Sequence, residues 1–122
     1  MESVYAEDGI HFMENGTEKA AFLEKMEDQG ILISLRGAVS GEMANALMDE
    51  MSALIVSGQG ITVVLEETTY LSPSIMEVFL RMENKLEEKG KYLRIIRMPQ
   101  SIYNEFKARG MHELLEIEVM KA

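Results

Sequence analysis

From residue 31 onward the chain alternates short apolar runs with amphipathic stretches. Ile31-Leu32-Ile33-Ser34-Leu35 is branched, apolar and closed by Gly37, which predicts a strand. Ser40-Gly41 opens a stretch whose apolar residues Met43, Leu47, Met51, Leu54 and Ile55 form one helical stripe, ended by Gly58 and Gly60. Ile61-Thr62-Val63-Val64-Leu65 is apolar almost throughout, so it is expected to be the central strand, covered on both faces. Ser72 before Pro73 marks a helix start: a serine oxygen caps free N–H groups, and proline at the first helical position lacks a donor that would go unpaired. Ile75, Phe79, Met82 and Leu86 supply the buried stripe of that helix, and Gly90 is its left-handed stop. Tyr92 to Ile96 reads as a further strand, broken by Pro99. A short helix near Ser101 to Arg109 ends at Gly110, and Leu114 to Val119 is expected to form a last edge strand.

Strands separated by helices through short connections predict an α/β fold, with a single mixed, mainly parallel sheet of about four or five strands and helices packed on it. Residues 20–122 form the expected domain, and residues 1–19 an N-terminal extension. Ala20 to Met26 suits either a hairpin with Ile31 to Leu35 or a short helix. Asp8-Gly9 and Asn15-Gly16 are turn signals, which makes a second hairpin over Val4 to Phe12 an option.

Composition narrows the class. The chain has 122 residues, enough for one domain with a real core, and 47% hydrophobic content excludes wholesale disorder. It contains no cysteine, which removes disulfides, thiolate metal sites and a cysteine nucleophile together. A net charge of -9 argues against nucleic acid or an anionic membrane as the main partner. No apolar run reaches the roughly 18 residues of a membrane span, and the acidic N-terminus does not resemble a signal peptide, so a cytoplasmic location is expected. The charge is uneven: residues 1–30 hold eight acids against Lys19 and Lys25, whereas residues 81–109 hold eight bases against four acids.

The search for reactive chemistry returns little. Gly58-Gln59-Gly60 precedes a strand and reads as a turn rather than a phosphate loop. His11 and His112 share no ligand spacing, so no metal site is expected. Glu66-Glu67 follows the central strand and reads as solvated loop acids. The serines lack a nucleophile elbow. The chain is expected not to be an enzyme and to need no cofactor.

Residues 20–119 resemble the STAS domain, the module shared by sulfate transporters and anti-sigma factor antagonists. The resemblance rests on Leu32-Ile33-Ser34-Leu35-Arg36-Gly37 before a helix, and on Ile61-Thr62-Val63-Val64-Leu65 followed by Thr69-Tyr70-Leu71-Ser72-Pro73-Ser74 before the next. Glu88-Lys89-Gly90-Lys91 before a strand, and Pro99 through Gly110-Met111 before Leu114-Leu115, complete it. In that family the loop after the central strand and the start of the next helix bind a regulatory partner. A serine there is phosphorylated by a kinase that is also the anti-sigma factor, and the phosphate blocks the complex.

The usual family string, Asp-Ser-Ser or Asp-Ser-Ala followed by Gly, is replaced here by Ser72-Pro73-Ser74-Ile75. The phosphorylated serine falls on Pro73, the family's acidic position after the first internal strand on Ser40, and its polar position in the central strand on Val64. The resemblance therefore implies a noncatalytic interaction module of antagonist type in a partner-switching pathway. Its partner is expected to be a regulatory protein such as an anti-sigma factor/serine kinase, docked through Ser40, Gly41, Ser72, Pro73, Ser74, Ile75, Met76 and Glu77. Two alternatives stand beside it: a phosphorylation switch at Ser74 or Ser72, against their simpler reading as helix caps, and a domain sensing a small ligand or nucleotide. Met76 is either an adaptable apolar contact or part of the core.

Overall fold

A computed structural model describes residues 1–121. The chain order is β1 (Glu2–Ala6), β2 (Gly9–Glu14), β3 (Thr17–Glu27), β4 (Gly30–Val39), a 3-10 turn at Gly41–Met43, α1 (Ala44–Ile55), β5 (Ile61–Leu71), α2 (Pro73–Glu88), β6 (Leu93–Met98), α3 (Gln100–Ala108), a second 3-10 turn at Met111–Glu113, and β7 (Glu116–Val119). The strands form one seven-stranded sheet in strict chain order. Four to five mainly parallel strands were expected; the observed sheet has three antiparallel pairs up to β4 and three parallel pairs beyond it. The extra strands come from residues 2–27, where tight turns join polar-apolar segments into an antiparallel meander, and Ala20 to Met26 takes the hairpin rather than the helix alternative.

The parallel half advances one strand at a time in one direction. Right-handed crossovers repeated in that sense place all three helices on one face of the sheet. Burial alternates accordingly: Ile31, Ile33 and Leu35 in β4 are buried while Leu32, Ser34 and Arg36 are half-exposed, and Thr62 and Val64 in β5 repeat the pattern. The expectation that the central strand is covered on both faces is thus corrected, because no helix crosses to the opposite side.

The core lies between this face and the helices. Leu47 and Met51 of α1, Phe79, Met82 and Leu86 of α2, and Phe106 of α3 are each 0% exposed. Five of the eleven methionines, Met43, Met51, Met76, Met82 and Met98, are core residues, filling the irregular gaps between helix and sheet. Gly37 permits a close crossing in β4: its φ is +82°, and a Cβ there would lie 2.2 Å from the Lys19 carbonyl oxygen of β3. Among the described residues no helix is long and apolar enough to cross a membrane.

One polar side chain intrudes on the helix-facing side. Glu24 pairs in register with Ile33 and so points toward α1, where it meets Glu50. Its Oε2 is buried without a donor. Burial first, and then the neighbouring Glu50 carboxylate, push the Glu24 carboxyl up to about 7. A proton on Glu24 supplies the donor that neither carboxylate has. Because the folded state holds this proton more tightly than the unfolded chain, stability falls as pH rises from the ordinary glutamate range toward 7. With solvent screening allowed for, the loss is about 1 kcal/mol. Glu24→Gln should therefore unfold about 3–5 °C above the parent at pH 8 and level with it at pH 4. Thermal melts at the two pH values check this, and equal parent and variant melting points at pH 8 would refute it.

Candidate functional site

Two chain segments converge at the C-terminal end of the β4–β5 pair. β5 continues past the apolar run to Leu71, held by Thr68 Oγ1 donating to the Leu35 carbonyl at 3.0 Å and by Ser72 N–H donating to the Val39 carbonyl at 3.0 Å. This brings the start of α2 against the turn that follows β4. Ser72 is extended (φ -65°, ψ 147°) and Pro73 occupies the first helical position. The Ser74 N–H donates to Ser72 Oγ at 3.4 Å, and the N–H groups of Ile75 and Met76 donate to the Ser72 carbonyl at 2.9 and 3.2 Å. Ser72 is thus a working N-cap.

The two hydroxyls also meet each other, with Ser72 Oγ and Ser74 Oγ 3.0 Å apart. Gly41 closes over them: a Cβ at this residue would lie 2.9 Å from Ser74 Oγ and 3.3 Å from Ser72 Oγ. Beside it Ser40 is half-exposed, its hydroxyl donating to Glu42 at 3.5 Å. Ser40, Gly41, Ser72, Pro73 and Ser74 are therefore one contiguous patch, although some thirty residues separate its halves. Gly41, Pro73 and Glu77 are exposed, Ser74 is half-exposed, and Ser72 is buried at 8%. Ile75 and Met76, at 0% and 1%, belong to the core, because α2 packs against both α1 and β6 and buries a broader arc than one stripe.

Grooves flank the patch on both sides. One of about 170 Å³ lies between α1 and α2, lined by Asn45, Met48, Ser74, Glu77, Val78 and Arg81. The other, about 320 Å³, lies between the end of β5 and α3, lined by Tyr70, Pro73, Ser101, Ile102, Glu105 and Arg109. Tyr70, 52% exposed, stands at its edge. Met48, Tyr70 and Arg109 were not candidate site residues in the sequence, since only the packing of other elements against α2 brings them there, whereas Arg81 lies on α2 itself.

Other charged residues pair away from the patch. Glu66, read as a loop acid, lies within β5 and accepts from Arg97, which holds its carboxyl below the usual range. Arg97 itself takes a left-handed φ of 54° where β6 and β7 slip in register. Across the open face of the sheet, the His11 ring nitrogens meet Glu18 at 2.6 Å and Asp8 at 2.9 Å, and Arg36 forks onto Glu18 at 2.9 and 3.2 Å. The Glu18 hydrogen bond, then that to Asp8, raises the His11 pKa; Arg36 first, then His11, lowers that of Glu18. His112 stacks edge-on against Tyr103 at 6.2 Å. Among the described residues no group of three His, Asp or Glu side chains is placed to hold a metal, and no histidine or carboxylate hydrogen-bonds Ser72 or Ser74. The patch offers hydroxyls, flanked by grooves that mix apolar and charged side chains.

Residues 22–116 match the family described as Mlab, STAS domain. The chain belongs to the STAS-domain family. Solved structures agree on the fold. An anti-sigma factor antagonist from Mycobacterium paratuberculosis superposes with a TM-score of 0.72 at 13% identity, over 81% of this chain and 85% of that one. The Bacillus cell fate determinant SpoIIAA in its phosphorylated form superposes at 0.65 and 17% identity, over 80% and 90%. A STAS-domain protein from Planctomyces limnophilus does so at 0.66 and 14%, over 82% and 91%. No curated relative matches by sequence.

The approach of Gly41 to the hydroxyl pair yields a coupling test. Gly41→Ala forces Ser74 Oγ to move and should cost about 1 kcal/mol. In a Ser74→Ala background the same change should cost less than about 0.5 kcal/mol, because its obstacle is gone. Urea unfolding of the four proteins in the cycle measures the difference; additive costs would mean that the two loops do not touch.

Proposed function

We propose that this STAS domain is a noncatalytic protein-binding module of antagonist type, docking a regulatory partner through Ser40, Gly41, Pro73, Ser74 and Glu77, with Ser72, Ile75 and Met76 holding the patch from beneath. The observation that carries the reading is the seating of Gly41 on the Ser72–Ser74 hydroxyl pair, which fuses the β4–α1 turn and the α2 start into one surface with a groove on either side. Such a surface has small residues at its centre and recesses of mixed apolar and charged lining at its margins, so a partner can approach closely and anchor side chains on both sides. The class of partner follows from structural neighbours described as anti-sigma factor antagonists: a regulatory protein of the anti-sigma factor/serine kinase kind. Tagged protein recovered from its host at native level should bring down a protein with a kinase-type ATPase domain, identified by mass spectrometry. Glu77→Arg combined with Ser74→Glu should reduce that recovery at least about tenfold with little change in melting temperature. Undiminished recovery would count against this surface.

A phosphorylation switch is a second reading, favoured by one observation: Ser74 is half-exposed, stands in the first turn of α2 and shares a groove with Arg81. The positive end of the helix dipole and a nearby guanidinium suit a phosphate, whose charge then repels a close-fitting partner. Pro73, at the family's phosphorylated position, has no hydroxyl. Incubation with the recovered kinase and ATP should add the mass of one phosphate to the parent and to Ser72→Ala, and none to Ser74→Ala. Phosphate retained by Ser74→Ala would remove Ser74 from the switch.

A further inference from the structure

The opposite end of the molecule carries an unfinished sheet edge. β1 hydrogen-bonds to β2 on one side alone, and all five of its residues are exposed. The helix layer ends at β2: Ile10 is 1% exposed, whereas Tyr5, its register partner in β1, is 66% exposed. β1 therefore projects beyond the helices with both faces in solvent and a free row of N–H and C=O groups along its outer side. Natural edges are commonly blocked by lysine, proline, a bulge or short length. Glu2-Ser3-Val4-Tyr5-Ala6 contains neither lysine nor proline, and its register with β2 has no shift. The other edge, β7, has four residues with glutamate at two of them and an irregular register.

β1 also forms one wall of a shallow trough of about 830 Å³ on the open face. Val4 and Met13 give it an apolar floor, Glu2 and Glu14 stand along it, and the Asp8–His11–Glu18–Arg36 cluster braces its base. In this part of the chain, residues 1–30, eight acids face two lysines. That charge selects the occupant. A second copy pairing two-fold about Val4 sets Glu2 of each strand opposite Ala6 of the other, with that copy's Glu7 and Asp8 just beyond, so acids gather at both ends.

We propose that β1 accepts an extended, basic segment of a partner protein as an eighth strand, with an apolar residue over Val4 and a lysine or arginine beside Glu2. Main-chain hydrogen bonds along the free edge supply affinity, and the pairing of alternate side chains with Val4 and Glu2 supplies selectivity. This surface is separate from the α2 patch, so a partner held at one leaves the other free.

The probe is the peptide acetyl-Lys-Thr-Val-Thr-Val-Thr-Lys-amide, which places valines centrally and lysines terminally on one strand face. Amide exchange of the full chain followed by NMR should slow about tenfold or more at Ser3 to Tyr5 when the peptide is added. An analogue with its central threonine replaced by proline keeps the charge and should give no such protection. Glu2→Lys with Glu14→Lys should weaken peptide binding at least about tenfold, while Ser74→Glu leaves it unchanged. Protection confined to the α2 region, equal protection by the proline analogue, or unweakened binding to the double variant would overturn the proposal. So would a free chain that sediments as a dimer paired through β1.

Discussion

The pairing of β4 with β5 is the constraint on which the rest of the molecule depends. It is the seam where the antiparallel meander ends and the parallel half begins. Beyond the regular register, two slips in this ladder let β5 run on beside β4 to Val39, with the buried Thr68 hydroxyl tying the two strands together. Without that continuation the chain would leave the sheet near Leu65, and the helix that follows would start well away from Gly41. The candidate surface is thus a product of strand pairing, and the serine cap at its centre is a local consequence of where β5 is made to stop.

The second organising fact is the one-sidedness of the layers. Successive right-handed crossovers in one direction stack the helices on a single face, and the core takes its depth from that side alone. Methionines accommodate the fit: α2 must bury Ile75, Met76, Val78 and Phe79 in little more than one turn because both the sheet and α1 press on it. The opposite face mixes half-exposed aliphatics such as Leu32 and Val64 with Ser34, Thr62 and the Glu18–Arg36 fork. Polar chemistry is therefore displaced to the sheet's back and margins.

How much of this was legible depended on the range of the interaction. The Ser72-Pro73 start of α2 was readable because capping is decided within four residues, and the helical stripes of α1 and α2 because their period is local. The continuation of β5 through Glu66-Glu67-Thr68-Thr69 was not, since that string has the composition of a loop and becomes strand only through groups about thirty residues earlier in the chain. The strand count came out low because the Asp8-Gly9 turn signals the β1–β2 hairpin locally, whereas its membership of the main sheet depends on the edge that β3 offers. The approach of Gly41 to Ser74 carries no local signal, and Met76, whose helical spacing already favoured the core, is buried at 1%. The family resemblance was legible because the hydrophobic frame survives where the string at residues 72–75 differs.

The strict chain order of the sheet bears on how the molecule comes into being. Every strand pairs with its immediate predecessor, so each ladder closes a loop no longer than one hairpin turn or one helix. Loop closure of that kind costs little entropy, and assembly can advance from one end without waiting for distant segments. During synthesis the β1–β4 meander can form while α1 is still being made, and each later helix and strand then finds an edge already waiting for it. The molecule grows in the direction in which it is translated, and its C-terminal strand is the last piece laid on the sheet.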